Sequence, residues 1–424
     1  MNNKTLVIVF LICGLILSAL ILRDGKPLLL AMPFLVYLII GVIQTPSNMT
    51  LTADRIINQP SVIAQEAFET RIIIKNQGNG LVNLSLNDTL FPSMTLLEGK
   101  PSCRLSLQAG ESVELNYVSR AGRGDYSWKT IHACASDPFG LFELERDITA
   151  AGEIIVRPMP IHIHPMPLKP RSTLHVAGPI AARLAGSGTD FWGIREYRTG
   201  DSLRRLNWRL TARYPRRLFT NEYEREEIAD FGIILDARRI TSDDAMEEAL
   251  FEHAVSAAAS LSETFLKKGN RVALLIYGES VTTLFPGYGK RQFNAVLRNL
   301  ARARLGANVP LSYLEYFPVR LFPSRSQIVM ISAMDARDLE TYAGLRAFGY
   351  DVLLISPDPV DHTARRLSMI GIDALAVRAA RIERVTLLKR LLKMGVAVID
   401  WQVTSSLDAI IHDSAGHMLR RRNL

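Results

Sequence analysis

Cysteine is nearly absent from this chain. Three occur in 424 residues, Cys13, Cys103 and Cys134, which excludes a multi-disulfide framework. Cys103 and Cys134 are read as free thiols, with a single bridge between them as the alternative. Also missing are a Walker-type phosphate loop, a spaced zinc cluster and a compelling nucleophile–base pair. Gly186-Ser187-Gly188 is too short to count as a nucleotide loop. His132 and Cys134 would share one face of a strand, but without further ligands they read as ordinary packing. His162 and His164 fall in a proline-bearing stretch read as an extended linker. No cofactor is expected, and catalysis is not the first reading.

Long apolar runs are present at one end only. Leu6–Leu22 and Leu28–Ile43, the second containing Pro33, are separated by Arg23-Asp24-Gly25-Lys26. Each run is close to the roughly 20 residues a span needs, so residues 1–45 read as a transmembrane helical hairpin. A cleaved signal peptide fits less well, because a second run follows and no small-residue cleavage site is evident. The expected location is the cell membrane, multi-pass. The positive-inside rule has few charges to count here. The formal net charge of +8 and pI near 9.4 favour anionic partners generally.

Two soluble domains are expected. Over 46–158, short β-favouring runs (Thr70–Lys75, Leu81–Leu86, Ser112–Tyr117, Ser127–Ala135) alternate with turn residues, as in an all-β sandwich. Gly124 and Gly140 mark turns, and Phe139 and Phe142 are expected to close the end of a core. Over 230–424 the runs change to Phe231–Asp236, Arg271–Tyr277, Gln327–Ser332 and Asp351–Ser356, continuous enough to be buried on both faces. Helical stripes intervene, Phe251 to Phe265 and Leu339–Phe348. That alternation predicts an α/β doubly wound, mostly parallel domain with binding at the strands' C-terminal ends.

Between them, residues 159–229 form a linker and an arginine-rich segment. From Arg195 to Arg217 eight arginines are interleaved with Tyr197, Trp208 and Tyr214 and opposed only by Glu196 and Asp201. Arginine offers planar, bidentate hydrogen bonding and stacks on aromatic rings. Arg195-Glu196-Tyr197-Arg198-Thr199-Gly200-Asp201, Arg204-Arg205-Leu206-Asn207-Trp208 and Thr211-Ala212-Arg213 resemble the signature of the domain-of-unknown-function 58 family. The resemblance implies the same order of parts: membrane hairpin, immunoglobulin-like sandwich, this segment and a von Willebrand factor type A-like domain. It also implies, through the family's frequent neighbours, a MoxR-type AAA+ ATPase partner and soluble domains facing the cytoplasm.

Within the segment, Arg195, Tyr197, Gly200, Asp201 and Trp208 are assigned to structure, with Trp208 filling a core gap and Leu203, Leu206 and Leu210 partly buried. Some arginines are expected to pair with Glu222, Glu224, Glu226 and Glu227. Arg204, Arg205, Arg209, Arg213, Arg216 and Arg217 are assigned to partner binding. Protein is the expected partner; anionic lipid is a further possibility, and nucleic acid ranks below both because no recognised module accompanies the arginines.

A von Willebrand factor type A domain carries Asp-x-Ser-x-Ser at the end of its first strand, an oxygen set suited to magnesium. The corresponding residues are Asp236-Ala237-Arg238-Arg239-Ile240, in which both serines are replaced. Asp236 and Asp335 are the weak candidates for metal, and a metal-free domain is expected. The resulting function is a membrane-anchored, non-catalytic scaffold or adaptor working with the ATPase in protein complex assembly or maturation. The alternative is a hydrolase with its site near Asp236.

Overall fold

The computed structural model describes residues 3–46, 48–164, 180–214, 216–227, 229–240, 243–278, 280–306, 321–323, 326–366 and 372–413; the side chains of 180–190, 192, 223–227, 366 and 372 are outside that description. By internal contacts the chain divides into two units, Met1–Arg157 and Pro158–Leu424.

The first unit begins with two apolar helices, Asn3–Leu22 and Lys26–Gln44, joined where Arg23 takes a φ of 51°. Each has a 19-residue stretch long and apolar enough to cross a membrane, with mean hydropathy 3.0 and 2.2. Side chains such as Phe10, Leu20, Ile21, Leu29 and Ile43 are exposed on them, as lipid-facing side chains would be.

A β-rich region follows. One sheet holds Leu51–Ile57, Ala67–Asn76, Ser112–Ala121 and Met94–Gly99, in that spatial order; the other holds Ser61–Ile63, Glu143–Arg157, Gly124–Ser136, Leu81–Asn87 and Ser102–Leu107. Burial alternates along Ala67–Asn76 and Ser112–Ala121, the period of a sheet with one covered face. Ile72, Ile74 and Tyr117 from the first sheet pack with Leu84, Leu86, Ile131 and Ile148 from the second in one core. Across it lies a buried ion pair: both Arg55 terminal nitrogens hold Asp88, at 2.6 and 2.7 Å, and the Tyr117 hydroxyl donates to Asp88 at 2.5 Å. Burial first, then the Asp88 charge, pushes the Tyr117 phenol well up.

In this unit the free thiols expected of Cys103 and Cys134 are found, and the expectation for Phe139 fails. Cys103 pairs in register with Leu86 and Cys134 with Ser85, on opposite sides of the strand Leu81–Asn87. Two strand spacings of about 4.8 Å exceed the Cα separation a disulfide tolerates, and both cysteines are free. Phe139, expected at the end of a core, stacks instead on Tyr37 of the second apolar helix with ring centroids 4.4 Å apart. Asp137 turns the chain that way, its carboxylate accepting the amides of Phe139, Leu141 and Phe142 at 2.7 to 2.9 Å. Thr5 of the first helix donates to the Leu141 carbonyl, so the hairpin is tied to this turn.

The second unit is built on a six-stranded mixed sheet in the order Val281–Gly287, Arg271–Tyr277, Asp230–Asp236, Gln327–Ile331, Asp351–Pro357, Ala397–Trp401. All neighbours are parallel except the edge strand Val281–Gly287. Ile233, Leu235, Leu274 and Val329 face helix Asp244–Lys267 on one side. Ile234, Leu275, Met330 and Leu354 face Tyr342, Leu345, Leu388 and Leu391 on the other. Burial on both faces explains the unbroken apolar runs. Helix Asp244–Lys267 is capped by Asp243, whose side chain accepts the Met246 amide, and it stops before Gly269 at a φ of 74°.

The segment 158–164 is not the free linker expected from its prolines. Ile163 is buried in the α/β core, the Ile161 amide bonds to Ser260 at 2.7 Å and the His164 amide to Asp408 at 2.7 Å. The expected linker prolines Pro165, Pro167 and Pro170 lie outside the described residues.

Candidate functional site

The chain runs outward in one direction from Asp230–Asp236 to Arg271–Tyr277 and in the other from Gln327–Ile331 through Asp351–Pro357 to Ala397–Trp401. The switch point therefore lies between the strands ending at Asp236 and Ile331, where open α/β sheets form a crevice. Asp236 and Ser332 flank it. Both are buried, as are Arg238 and Asp338.

Arg238 fills this crevice. Its guanidinium holds Asp236 through Nε at 2.8 Å and Nη2 at 2.7 Å, and Asp338 through Nη1 at 3.1 Å and Nη2 at 2.8 Å. Ser332 Oγ donates to Asp236 at 2.6 Å and accepts the Met334 amide at 3.0 Å. Burial alone would lower the arginine's pKa, but the bonds to Asp236 and Asp338 outweigh it and leave the pKa above the ordinary guanidinium value. The cation between these carboxylates is thus a side chain. Tyr342 is fully buried beside the clamp; burial, then the nearby Asp236 and Asp338 charges, pushes its phenol well up. The cavity beside the clamp, lined in part by Asp236, Arg238, Met246, Leu250 and Ser332, holds about 40 Å³, room for water rather than for a substrate.

Asp335, the second carboxylate expected here, lies elsewhere. It caps the turn Ala336–Asp338, accepting the Arg337 amide at 2.9 Å, and pairs with the Arg337 side chain at 2.6 Å. The hydrogen bond from Arg337 holds its carboxyl below the usual range against partial burial. Asp338 is the residue that sequence reasoning missed. The Asp335-x-x-Asp338 spacing is that of a capping box, which aims Asp338 back at the Asp335 amide and so places it within reach of Arg238.

A second buried arginine closes the next gap along the same sheet edge. Arg384 reaches Asp400 at 2.7 Å, Asp358 at 3.2 Å and the Ser356 carbonyl at 3.1 Å. A wider groove of about 470 Å³ opens beside it between Met334, Val360, Ile382 and Leu387.

The arginine-rich segment forms a separate two-stranded antiparallel ribbon, Ile180–Glu196 with Phe219–Glu227. Gly186, Ser187 and Gly188 belong to its first strand. At the ribbon's end Arg195 clamps Asp201 at 2.7 and 2.8 Å and Glu222 at 2.6 Å. Asp201 also accepts the Arg198 amide at 2.8 Å, the Tyr197 hydroxyl donates to the Asp201 carbonyl at 3.2 Å, and Gly200 supplies a φ of 108° that favours glycine. These four residues build the turn together.

Trp208 does not join them. It is 68% exposed, opening a six-residue helix, Trp208–Arg213, whose cap is Asn207. A two-stranded ribbon has no second layer, so this helix of under two turns half-buries Leu210 and Thr211 and fully buries none of its residues, while Leu206 just before it is buried. Leu203, expected to be partly buried, is exposed as well, as is Tyr214. Around them Arg204, Arg209, Arg213 and Arg216 are exposed. Arg205 is half-buried, its carbonyl accepting from Thr220, and Arg217 pairs with Glu196 at 2.7 Å. Of the expected glutamate partners Glu222 is engaged; Glu224, Glu226 and Glu227 lie outside the described side chains.

The turn carries a pH signature. The bonds from Arg195, then from the Arg198 amide, hold the Asp201 carboxyl at about 2, below the ~3.9 of an unfolded aspartate. A lowered folded value means the clamp contributes its full stability above pH ~4 and loses it as pH falls through 2. A carboxyl-carbon NMR titration of Asp201 should show a midpoint near 2 that rises toward ~3.9 in Arg195→Gln, the Arg198 amide bond remaining. A wild-type midpoint already at ~3.9 would dissolve the clamp.

Among known proteins, 120 residues of the chain are 32% identical to "Uncharacterized protein YeaD" of Bacillus subtilis (strain 168), covering 28% of each chain. The match thus spans little more than a quarter of that relative. Among solved structures, the CARDB domain of the PF1109 protein from Pyrococcus furiosus is 18% identical, covering 26% of this chain and 91% of that one at a TM-score of 0.19. A FixG-related protein from Vibrio parahaemolyticus is 13% identical, covering 25% and 95% at a TM-score of 0.18. Residues 193–372, which take in the Arg195–Asp201 turn, the exposed Trp208 face and the Arg238 clamp, match the family described as "Protein of unknown function DUF58".

Proposed function

We propose that this protein is a membrane-anchored, non-catalytic adaptor whose Trp208 face docks an acidic protein surface. In this reading the helical hairpin crosses the cell membrane twice, the β-rich region is an immunoglobulin-like sandwich and the α/β domain is von Willebrand factor type A-like. Both soluble parts face the cytoplasm, and the partner is a MoxR-type AAA+ ATPase acting in protein complex assembly or maturation.

The observation that carries the reading is the exposure of Trp208, Tyr214 and Leu203 among Arg204, Arg209, Arg213 and Arg216. Leaving a tryptophan in water sacrifices about 2 kcal/mol or more of burial, and tryptophan, tyrosine and arginine are the residues that dominate protein interfaces when a partner covers them. At the α/β sheet edge the carboxylates that a hydrolase would need are instead occupied by Arg238, which weighs toward the adaptor.

The test uses the full chain in detergent and a purified MoxR-type ATPase from the same cell. Trp208→Ala should weaken binding by about 2 kcal/mol, roughly 30-fold, and the triple reversal of Arg204, Arg209 and Arg213 to Glu should abolish it. Undiminished binding by both variants would remove this face from the interface.

A further inference from the structure

His162 and His164 were read from sequence as part of a linker, yet the fold brings His164 against the far end of the chain. The last described helix, 407–413, buries Leu407 and Ile411 in the α/β core. Its i and i+4 residues Asp408 and His412 therefore project together from an adjoining face. His164 meets them. Its amide donates to Asp408 Oδ1 at 2.7 Å, and its ring Nδ1 lies 2.7 Å from Asp408 Oδ2. His412 Nε2 stands 3.6 Å from Asp408 Oδ1.

We infer that His164, Asp408 and His412 form a site for a borderline divalent cation of the zinc class, a clasp between the segment entering the α/β domain and its last described helix. Three features support this. The donor set is two imidazoles and one carboxylate, the chemistry such ions select. One donor atom from each residue lies within 4.8 Å of the others. Tetrahedral ligands at roughly 2.0–2.1 Å from zinc stand about 3.3 Å apart; each histidine nitrogen lies near that spacing from one Asp408 oxygen, His164 at 2.7 Å from Oδ2 and His412 at 3.6 Å from Oδ1, so a side-chain rotation of Asp408 brings one oxygen to both.

The backbone already holds the site in place. Ile163 is buried beside His164, and the His164 amide bond fixes Asp408 independently of the ring. The three side chains are partly exposed, at 63%, 20% and 46%, leaving an approach for the ion and a position for water or for the neighbouring His162, whose ring lies 5.2 Å from that of His164. Coordination through Nδ1 uses the neutral imidazole tautomer that carries its N–H on Nε2, with no change of oxidation state. The ion would tie together residues 244 positions apart, so its binding energy adds to the stability of the whole domain.

The other cluster of metal-binding residue types, Cys134 with Glu143 and Glu145, provides the internal control. Tag-free full chain in detergent, stripped with chelator, is titrated with zinc chloride by calorimetry and with cobalt chloride by visible absorption. One equivalent of zinc should bind and raise the melting temperature. His164→Ala and His412→Ala should each weaken binding at least tenfold while keeping the far-ultraviolet circular dichroism of the parent, and Cys134→Ser should change nothing. Cobalt should give a ligand-field spectrum without a thiolate charge-transfer band. Absence of saturable zinc binding, or an affinity unchanged in the histidine variants, overturns the site; a thiolate band or loss in Cys134→Ser moves the ion to the other cluster and overturns it equally.

Discussion

Arg238→Ala is expected to destabilise the α/β domain by about 3–5 kcal/mol, the cost of stranding buried charges after one partner is removed. The wild-type guanidinium makes four hydrogen bonds, two to each of Asp236 and Asp338, and the cavity beside the clamp holds only about 40 Å³. In the variant two carboxylates face each other across the vacated volume. Their repulsion distinguishes this loss from a simple cavity: removing one charge as well, in Arg238→Ala with Asp236→Asn, should shrink the deficit, whereas a cavity deficit would be unchanged. Denaturant unfolding of the full chain, followed through amide exchange in Asp230–Asp236 and Gln327–Ile331, measures it. A deficit under ~1 kcal/mol would mean that the clamp is ornamental, and one that the double variant leaves undiminished would mean that packing rather than charge holds the crevice.

Asp88→Ala should have an effect of similar size in the other unit, again about 3–5 kcal/mol. The Arg55 and Asp88 side chains are both fully buried. Removing the acid leaves the guanidinium, which also bonds the Ala150 carbonyl and lies 4.9 Å from the Trp128 ring centroid, without a counter-charge, and it takes away the acceptor of the Tyr117 hydroxyl. The paired replacement Arg55→Met with Asp88→Leu should recover most of the loss, because apolar groups of similar volume avoid the desolvation cost that the ion pair only offsets. Thermal unfolding of the β-rich unit in the full chain is the readout. If the double variant is as damaged as Asp88→Ala, the pair contributes shape rather than charge.

The two clamps also show how far a sequence can be read. Periodicity depends on neighbours along the chain, so it located the strands at Phe231–Asp236, Arg271–Tyr277, Gln327–Ser332 and Asp351–Ser356 and the apolar hairpin. It missed the edge strand Val281–Gly287 and the short closing strand Ala397–Trp401, whose partial exposure gives them weaker patterns. The Arg195 turn was legible for the same local reason, since Tyr197, Gly200 and Asp201 act within seven residues. Trp208 was misread because burial is not a local property: tryptophan composition suggests a core, and only the single-layer ribbon shows that none is available there.

What the sequence by itself determined is thus the order of the parts, two apolar helices, a β-rich region, an arginine-rich segment carrying a family signature and an α/β domain. It also marked Arg238 as a cation standing where one of two hydroxyls would serve a metal, the other position being Ile240. Only the tertiary structure decided which charges meet. Asp338 reaches Arg238 from 100 positions away, and Asp88 reaches Arg55 from 33. His164 finds Asp408 across 244. Such pairings are set by sheet order and helix packing, which bring distant residues to one edge; no spacing along the chain encodes them.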